Sequence, residues 1–509
     1  MYILTLKQRG LVEFSEMTIE QLWELADSEE KEERAFSLTW LSLRLGEVGD
    51  FAAAISTGIS GAELFNEIGN EYMEAAAHYY TGLSHYNAGD FQSGVEVSEK
   101  AAHMYRSTHD EKQIGDVILL RARCLEGLEL DGEAMEAFFE AEKFYESAEK
   151  FEWSGIALLE AGEVAGRNGV QSEALGIFRD SLSMFRKAGD LIGAGRAHDR
   201  IAAALIDLDR LEEALDNLRE AYNVFDYIED LPRKTYAEFR LGWTLVTNAQ
   251  FQEAIPFLEN SVNKYKQMSE FGRAAKADVQ LSHAHRSLGD SIMADQLLEQ
   301  ATSVFRSLGM THDALINEIN AAFYMTDYDL DQSISRFRTI LERTAETNDV
   351  FLWNSTAIRL AEALNRKGDE QSAVESLSTL ESIDLESLGE DVPTYTKYLI
   401  AYADSLYLNS KPEEAKTACM KIIDLDVSTS LTYQTAEAYR LLGYLAKNED
   451  DDSYADHFSR AVALYLSAGL DDDARAVSTW FLPKSKGRQD TLYSDDIDLL
   501  GGDFERSDS

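Results

Sequence analysis

The chain has 509 residues, 45% of them hydrophobic and only five of them proline, which supplies a large core and argues against disorder. Its 92 acidic and 47 basic residues give a formal net charge of −45, a field that disfavours nucleic acid and anionic membranes and favours basic partners or plain solubility. No run of about 18 apolar residues is present to span a membrane, and the start, Met-Tyr-Ile-Leu-Thr-Leu-Lys-Gln-Arg, is too short for a signal peptide.

In chain order, residues 1–17 read as a short extended arm. Thr18 then caps a helix carrying Ile19, Leu22, Trp23 and Leu25, so 1–29 is expected to be an arm plus a capping helix. From residue 30 to 470 one pattern recurs. A small position runs Ala54, Gly94, Ala134, Ala174, Ala214, Ala254, Ala294, Ser333, Ala373, Ala415, Ala455, spaced by 40 apart from single steps of 39 and 42. Twelve residues earlier lies a second small column, including Ser42, Gly82, Ala122, Gly162, Ala202 and Gly242. Eleven residues after the first column an aromatic recurs as Phe65, Tyr105, Tyr145, Phe185, Phe225, Tyr265 and Phe305, and then lapses.

A fixed period of this length marks a stacked repeat. Small residues let two antiparallel helices approach, and the aromatic fills the wider gap beside them. Each period is therefore a helix–turn–helix pair, with Gly69, Gly189, Gly309 and Gly469 at helix stops. The spacing disturbance predicts a change of curvature over 325–395 and no separate domain. Pro393 and Pro412 fit first helical turns, while Pro256 lies one turn inside a helix and bends it. Asp471–Asp473 suit the start of a final capping helix over 471–483, stopped by Pro483. Residues 484–509 read as a disordered acidic tail. Its stretch from Tyr493 to Phe504 alternates acid and apolar residues, as a docking motif or a solvating tail would.

The segments Arg-Leu-Gly-Trp (240–243), Thr-Gly-Leu-Ser-His-Tyr (81–86) and Leu-Glu-Glu-Ala-Leu (211–215) carry a pattern that resembles the tetratricopeptide repeat family. The units are longer than the common 34-residue form and lack its closing proline. They are similar to the long variant of spindle-orientation adaptors and Rap-type peptide-sensing regulators. The resemblance implies an all-α chain, a right-handed α-solenoid of about eleven TPR-like repeats. It also implies a concave face lined by the first helix of each pair, with peptides or helices as ligands.

The search for chemistry finds no phosphate loop, dinucleotide fingerprint or HExxH motif. His283 and His285 sit two apart and point to different faces of a helix, so no metal and no cofactor are expected. Cys124 and Cys419, far apart and in helical runs, read as core thiols in a reducing cytoplasm. Placed by the family geometry, the groove residues are Tyr79, Leu83 and Tyr86 in the early units, then Arg196, Arg200, Arg240, Trp243, Lys276 and Arg286. Arginines and aromatics are typical interface anchors. Alternatively, Asp199, Glu163 and Asp207 neutralise the arginines within the array. The lysine–asparagine clamp of chaperone-binding members is missing, with Leu119 and Arg123 at a place where it would stand.

The expectation is a non-catalytic cytoplasmic scaffold or adaptor, not an enzyme, that binds a protein or peptide partner in its groove. The alternative is a peptide-gated regulator, Rap-like without the phosphatase domain, since only about 30 residues precede the first unit. An enzyme of unknown type has no motif to support it.

Overall fold

The computed structural model describes residue 14 and residues 17–347, 349–388, 391–429 and 432–478, with the side chains of 426–429 outside the description. The arm before Phe14, the segment 479–483 and the tail 484–509 lie outside the described residues. Those residues hold 24 α-helices and one 3-10 turn, and no strand.

Two compact units divide the chain between Gly289 and Asp290. The first opens with α1 (Ile19–Ala26) and continues as pairs: α2 (Lys31–Glu47) with α3 (Phe51–Ile68), α4 (Glu71–Asn87) with α5 (Phe91–Thr108), and α6 (Glu111–Gly127) with α7 (Asp131–Ser147). Then come α8 (Phe151–Arg167) with α9 (Gln171–Ala188), α10 (Leu191–Asp207) with α11 (Leu211–Tyr227), α12 (Leu231–Thr247) with α13 (Phe251–Gln267), and finally α14 (Phe271–Ser287). The second unit starts with α15 (Ser291–Ser307). It continues with α16 (Thr311–Met325) and α17 (Leu330–Glu346), α18 (Val350–Lys367) and α19 (Glu370–Glu381), α20 (Val392–Leu408) and α21 (Pro412–Thr429), α22 (Thr432–Asn448) and α23 (Tyr454–Ser467), then α24 (Asp471–Ser478). Among the described residues each unit is thus all-α and built of successive helix–turn–helix pairs.

Packing explains the two columns. A Cβ added at Gly162 of α8 would meet the Phe178 ring of α9 at 2.5 Å, and one at Gly195 of α10 would meet the Phe225 ring of α11 at 2.7 Å. Small residues are therefore required wherever a partner ring lies flat on the first helix. The aromatic column from Phe65 to Phe305 is at most 3% exposed. Burying each ring stabilises the array by about 2–3 kcal/mol. The column does not end at Phe305, as the sequence alone suggested. Phe458, Ala461 and Tyr465 are buried with the spacing of Phe138, Ala141 and Tyr145. The last small position is therefore taken by Tyr454, one residue before Ala455.

The turns reveal a finer register of 20 residues. Fourteen positions from residue 49 to residue 309, one every 20 residues, all have positive φ. Seven of them are Gly49, Gly69, Gly89, Gly169, Gly189, Gly289 and Gly309, and the others are His109, Glu129, Glu149, Asp209, Glu229, Ala249 and Ser269. Each ends one helix in a left-handed turn that hands the chain to the next. Reading stops from glycine alone therefore sees half of them. Many of the following helices start on a carboxylate cap, as where Asp190 Oδ1 accepts from the Gly193 amide at 3.0 Å.

The irregular spacing has a local cause in the second unit. Helix α19 has 12 residues where its counterparts have 14 to 18, and a 3-10 turn, Leu385–Leu388, follows it. On α20, Tyr395, Tyr398 and Tyr402 form a parallel stack with centroid spacings of 6.2 and 5.4 Å. Tyr398 stands where Ala157, Ala197, Ala237 and Ala277 stand in their first helices. The larger side chain compensates for the shortened helix beside it.

Candidate interaction cleft

Within the first unit, first helices of neighbouring pairs pack side by side, α2 on α4, α4 on α6, α8 on α10 and α12 on α14. Helices α10 and α12 approach one another less closely. Bulky and charged side chains separate them, and a cleft of about 510 Å³ opens there. Its walls are Ile192, Arg196, Asp199 and Arg200 of α10, and Pro232, Arg233 and Tyr236 of α12. Phe225 of α11 and Arg273 of α14 complete it.

The charges are partly matched. A ladder of ion pairs crosses successive first helices. Arg123 donates to Glu160 through Nε at 2.8 Å, and Arg200 Nε donates to Glu163 at 2.7 Å. Asp199 lies 3.9 Å from Arg200 and 3.6 Å from Arg240. Burial pushes the Asp199 carboxyl up, while Arg240 and then Arg200 pull it back. For Arg200, burial pulls the guanidinium down, but Glu163 and Asp199 together raise it above its ordinary value. These arginines are fixed in place by carboxylates from neighbouring helices.

The sequence-expected groove residues separate into three groups. Arg196 is exposed and engages no carboxylate among the described residues, while Arg200 is half-buried in the same cleft. Arg240 is only 7% exposed, directed at Asp199 and flanked by the Tyr236 and Trp243 rings at 5.9 and 5.8 Å. It belongs to the packing between helices, and its place here is different from a ligand-facing groove residue. Trp243 is 41% exposed, stacks on Phe239 and lies outside the cleft lining. Lys276 and Arg286, both on α14, are exposed and half-buried respectively, and neither lines the cleft. Tyr79 and Tyr86 sit on α4, away from the cleft; Tyr79 is against Tyr80, and Tyr86 against Phe91. Burial raises both phenols.

Sequence reasoning missed Arg233 and Arg273. Both lie in the first turn of their helices, two to three turns before the small column on which the reading was centred. Arg233 pairs with its helix cap Asp230, and Arg273 lies 3.6 Å from Glu270. Among the described residues no group of three or more His, Cys, Asp or Glu is arranged to hold a metal, and no helix is long and apolar enough to cross a membrane.

No family model matches the sequence, and no curated protein matches it. Solved structures do. A Rap protein complexed with competence and sporulation factor is 14% identical over 80% of this chain and 99% of its own, with a TM-score of 0.40. The apo form of the quorum sensor NprR from B. thuringiensis is 17% identical over 56% of this chain and 80% of its own, TM-score 0.39. BtubC from P. vanneervenii is 14% identical over 43% of this chain and 90% of its own, also TM-score 0.39. At these values the likenesses add nothing about function to what the helices themselves show.

Proposed function

We propose that this chain is a non-catalytic protein-interaction scaffold that binds an acidic segment of a partner in the cleft between α10 and α12. The observation that carries the reading is Arg196, an exposed guanidinium without a carboxylate partner among the described residues, in a cleft with Arg200, Arg233 and Arg273. In a chain of net charge −45 this is a local concentration of cations. Ile192 and Tyr236, 42% and 37% exposed, supply apolar contact beside them. Arginine next to exposed aromatic surface is the composition of binding hot spots. Glu163 holds Arg200 in place, so less side-chain freedom is lost when a carboxylate arrives.

The test is a selection from a random peptide display library with the wild-type chain and with Arg196→Glu/Arg233→Glu. The reading expects acidic peptides from the wild type and their loss from the variant. Basic or uncharged peptides selected equally by both would overturn it. Asp230 caps α12 through the backbone amide of residue 233, which the substitution leaves in place, so the variant keeps its helix.

A further inference from the structure

The cleft between α10 and α12 is lined by four guanidiniums, Arg196, Arg200, Arg233 and Arg273, and by one carboxylate, Asp199. The cations come from three first helices. Arg196 and Arg200 stand one turn apart on α10, while Arg233 and Arg273 hold the same place, 40 residues apart, in the first turns of α12 and α14. Earlier units carry no cation at either place: Met73, Gln113, Trp153 and Gly193 precede Arg233, and Ala76, Asp116 and Ile156 precede Arg196. A guanidinium has five N–H donors, and little of that capacity is used here. Arg200 gives Nε to Glu163 at 2.7 Å, and Arg233 gives Nη1 to Asp230. Arg273 Nε lies 3.6 Å from Glu270, beyond hydrogen-bond distance, and Arg196 engages no carboxylate among the described residues. Asp199 is already paired with Arg200 and with Arg240, 3.9 and 3.6 Å away, and Arg240 lies outside the lining.

We propose that the acidic group taken by this cleft is a phosphorylated side chain of the partner segment, an inference that rests on the reading of the cleft as a site for an acidic segment. A side-chain carboxylate offers one charge and two oxygens in one plane, which suits a single guanidinium fork. A phosphomonoester carries about −1.5 to −2 charge at pH 7 and three acceptor oxygens that point apart. It can accept from α10, α12 and α14 together, where a carboxylate would leave most of the donors to water. Ile192, Pro232 and Tyr236 give its stem an apolar wall beside the cations.

The test is fluorescence polarisation of the full chain with synthetic peptide libraries that share randomised flanks and differ at one central residue: phosphoserine, phosphotyrosine, glutamate or serine. The expected result is that a phosphopeptide library binds at least about tenfold tighter than the glutamate library. Arg196→Lys keeps the charge and loses the planar fork, and Arg273→Gln removes only an exposed pair, so both variants keep the fold. Each is expected to bring the phosphopeptides to within about threefold of the glutamate library. Arg336→Glu, exposed on α17 of the second unit, is expected to change nothing. Inorganic phosphate at the peptide's own concentration is expected to leave the phosphopeptide bound. Phosphopeptides and glutamate peptides binding equally, and both above serine, would overturn this inference and leave the acidic-segment reading standing. All four libraries binding alike would remove both. A phosphate preference that survives Arg196→Lys and Arg273→Gln, or is lost in Arg336→Glu, would also overturn the inference. So would displacement by equimolar inorganic phosphate, which would show that the segment itself contributes nothing.

Discussion

Replacing Ala249 by glycine is expected to stabilise the first unit. Ala249 closes α12 with φ of 55°, in the left-handed region. An L residue there costs about 1–2 kcal/mol, because its Cβ crowds the following carbonyl. Glycine removes that cost but returns about 0.4–1 kcal/mol through the freedom of the unfolded chain. The net gain is about 0.5–1 kcal/mol. Gly69 supplies the converse: its φ is 77°, and an added Cβ would meet nothing within 4 Å. Gly69→Ala is therefore a backbone penalty without a steric one, and a loss of about 1 kcal/mol is expected. Repeat arrays are not strictly two-state, so the assay is native-state hydrogen exchange at the α12–α13 and α3–α4 turns, alongside urea midpoints. Loss of stability in Ala249→Gly, or no loss in Gly69→Ala, would refute the 20-residue turn register.

Three further outcomes follow from buried groups. Glu238, 3% exposed, accepts from Lys264 Nζ with both oxygens, at 2.6 and 2.7 Å. Lys264→Met should destabilise the unit by about 3 kcal/mol and Glu238→Gln/Lys264→Met by much less, because only the single variant leaves a buried charge unpaired; equal losses in urea unfolding would count against it. His198 accepts from Arg186 at 3.3 Å and so donates its Nδ1 proton to Asn217 at 2.9 Å. Burial, and then Arg186, lower its pKa, so the unfolded chain takes the proton first. The His198 contribution is thus whole above about pH 6.5 and is lost as pH falls through the lowered folded value. The urea midpoint of His198→Gln should depend less on pH between 7.5 and 5 (about the histidine range) than that of wild type; identical slopes would exclude this role. Burial pushes the Cys124 thiol up to about 12 and also raises Cys419, so neither should alkylate until the chain unfolds. Rapid labelling of the native chain by mass spectrometry would contradict that burial.

Much of the fold was legible because packing writes itself into the sequence as small and aromatic columns. Gly162 against Phe178 and Gly195 against Phe225 leave no other residue size open at those positions. The turns were legible only where they use glycine. Glu129, Glu149 and Ala249 adopt the same left-handed backbone and leave no compositional mark. The return of the aromatic column at Tyr465 was hidden by the shortened α19 and the shifted register around it. At the cleft, the sequence placed Arg196 and Arg200 on the right helix and named Glu163 and Asp199 as possible neutralisers. It did not separate Arg240, paired across helices with Asp199, from Arg196, because residues 41 apart are brought together only by packing. Arg233 and Arg273 escaped because they lie in first turns, outside the periodic positions.

The most direct test of the central claim is hydrogen-exchange footprinting of the full chain with an acidic peptide recovered from the display selection. The account predicts new protection in α10, the first turns of α12 and α14, and the end of α11 near Phe225, abolished by Arg196→Glu/Arg233→Glu. Protection that leaves those segments unchanged and appears elsewhere on the array would contradict it.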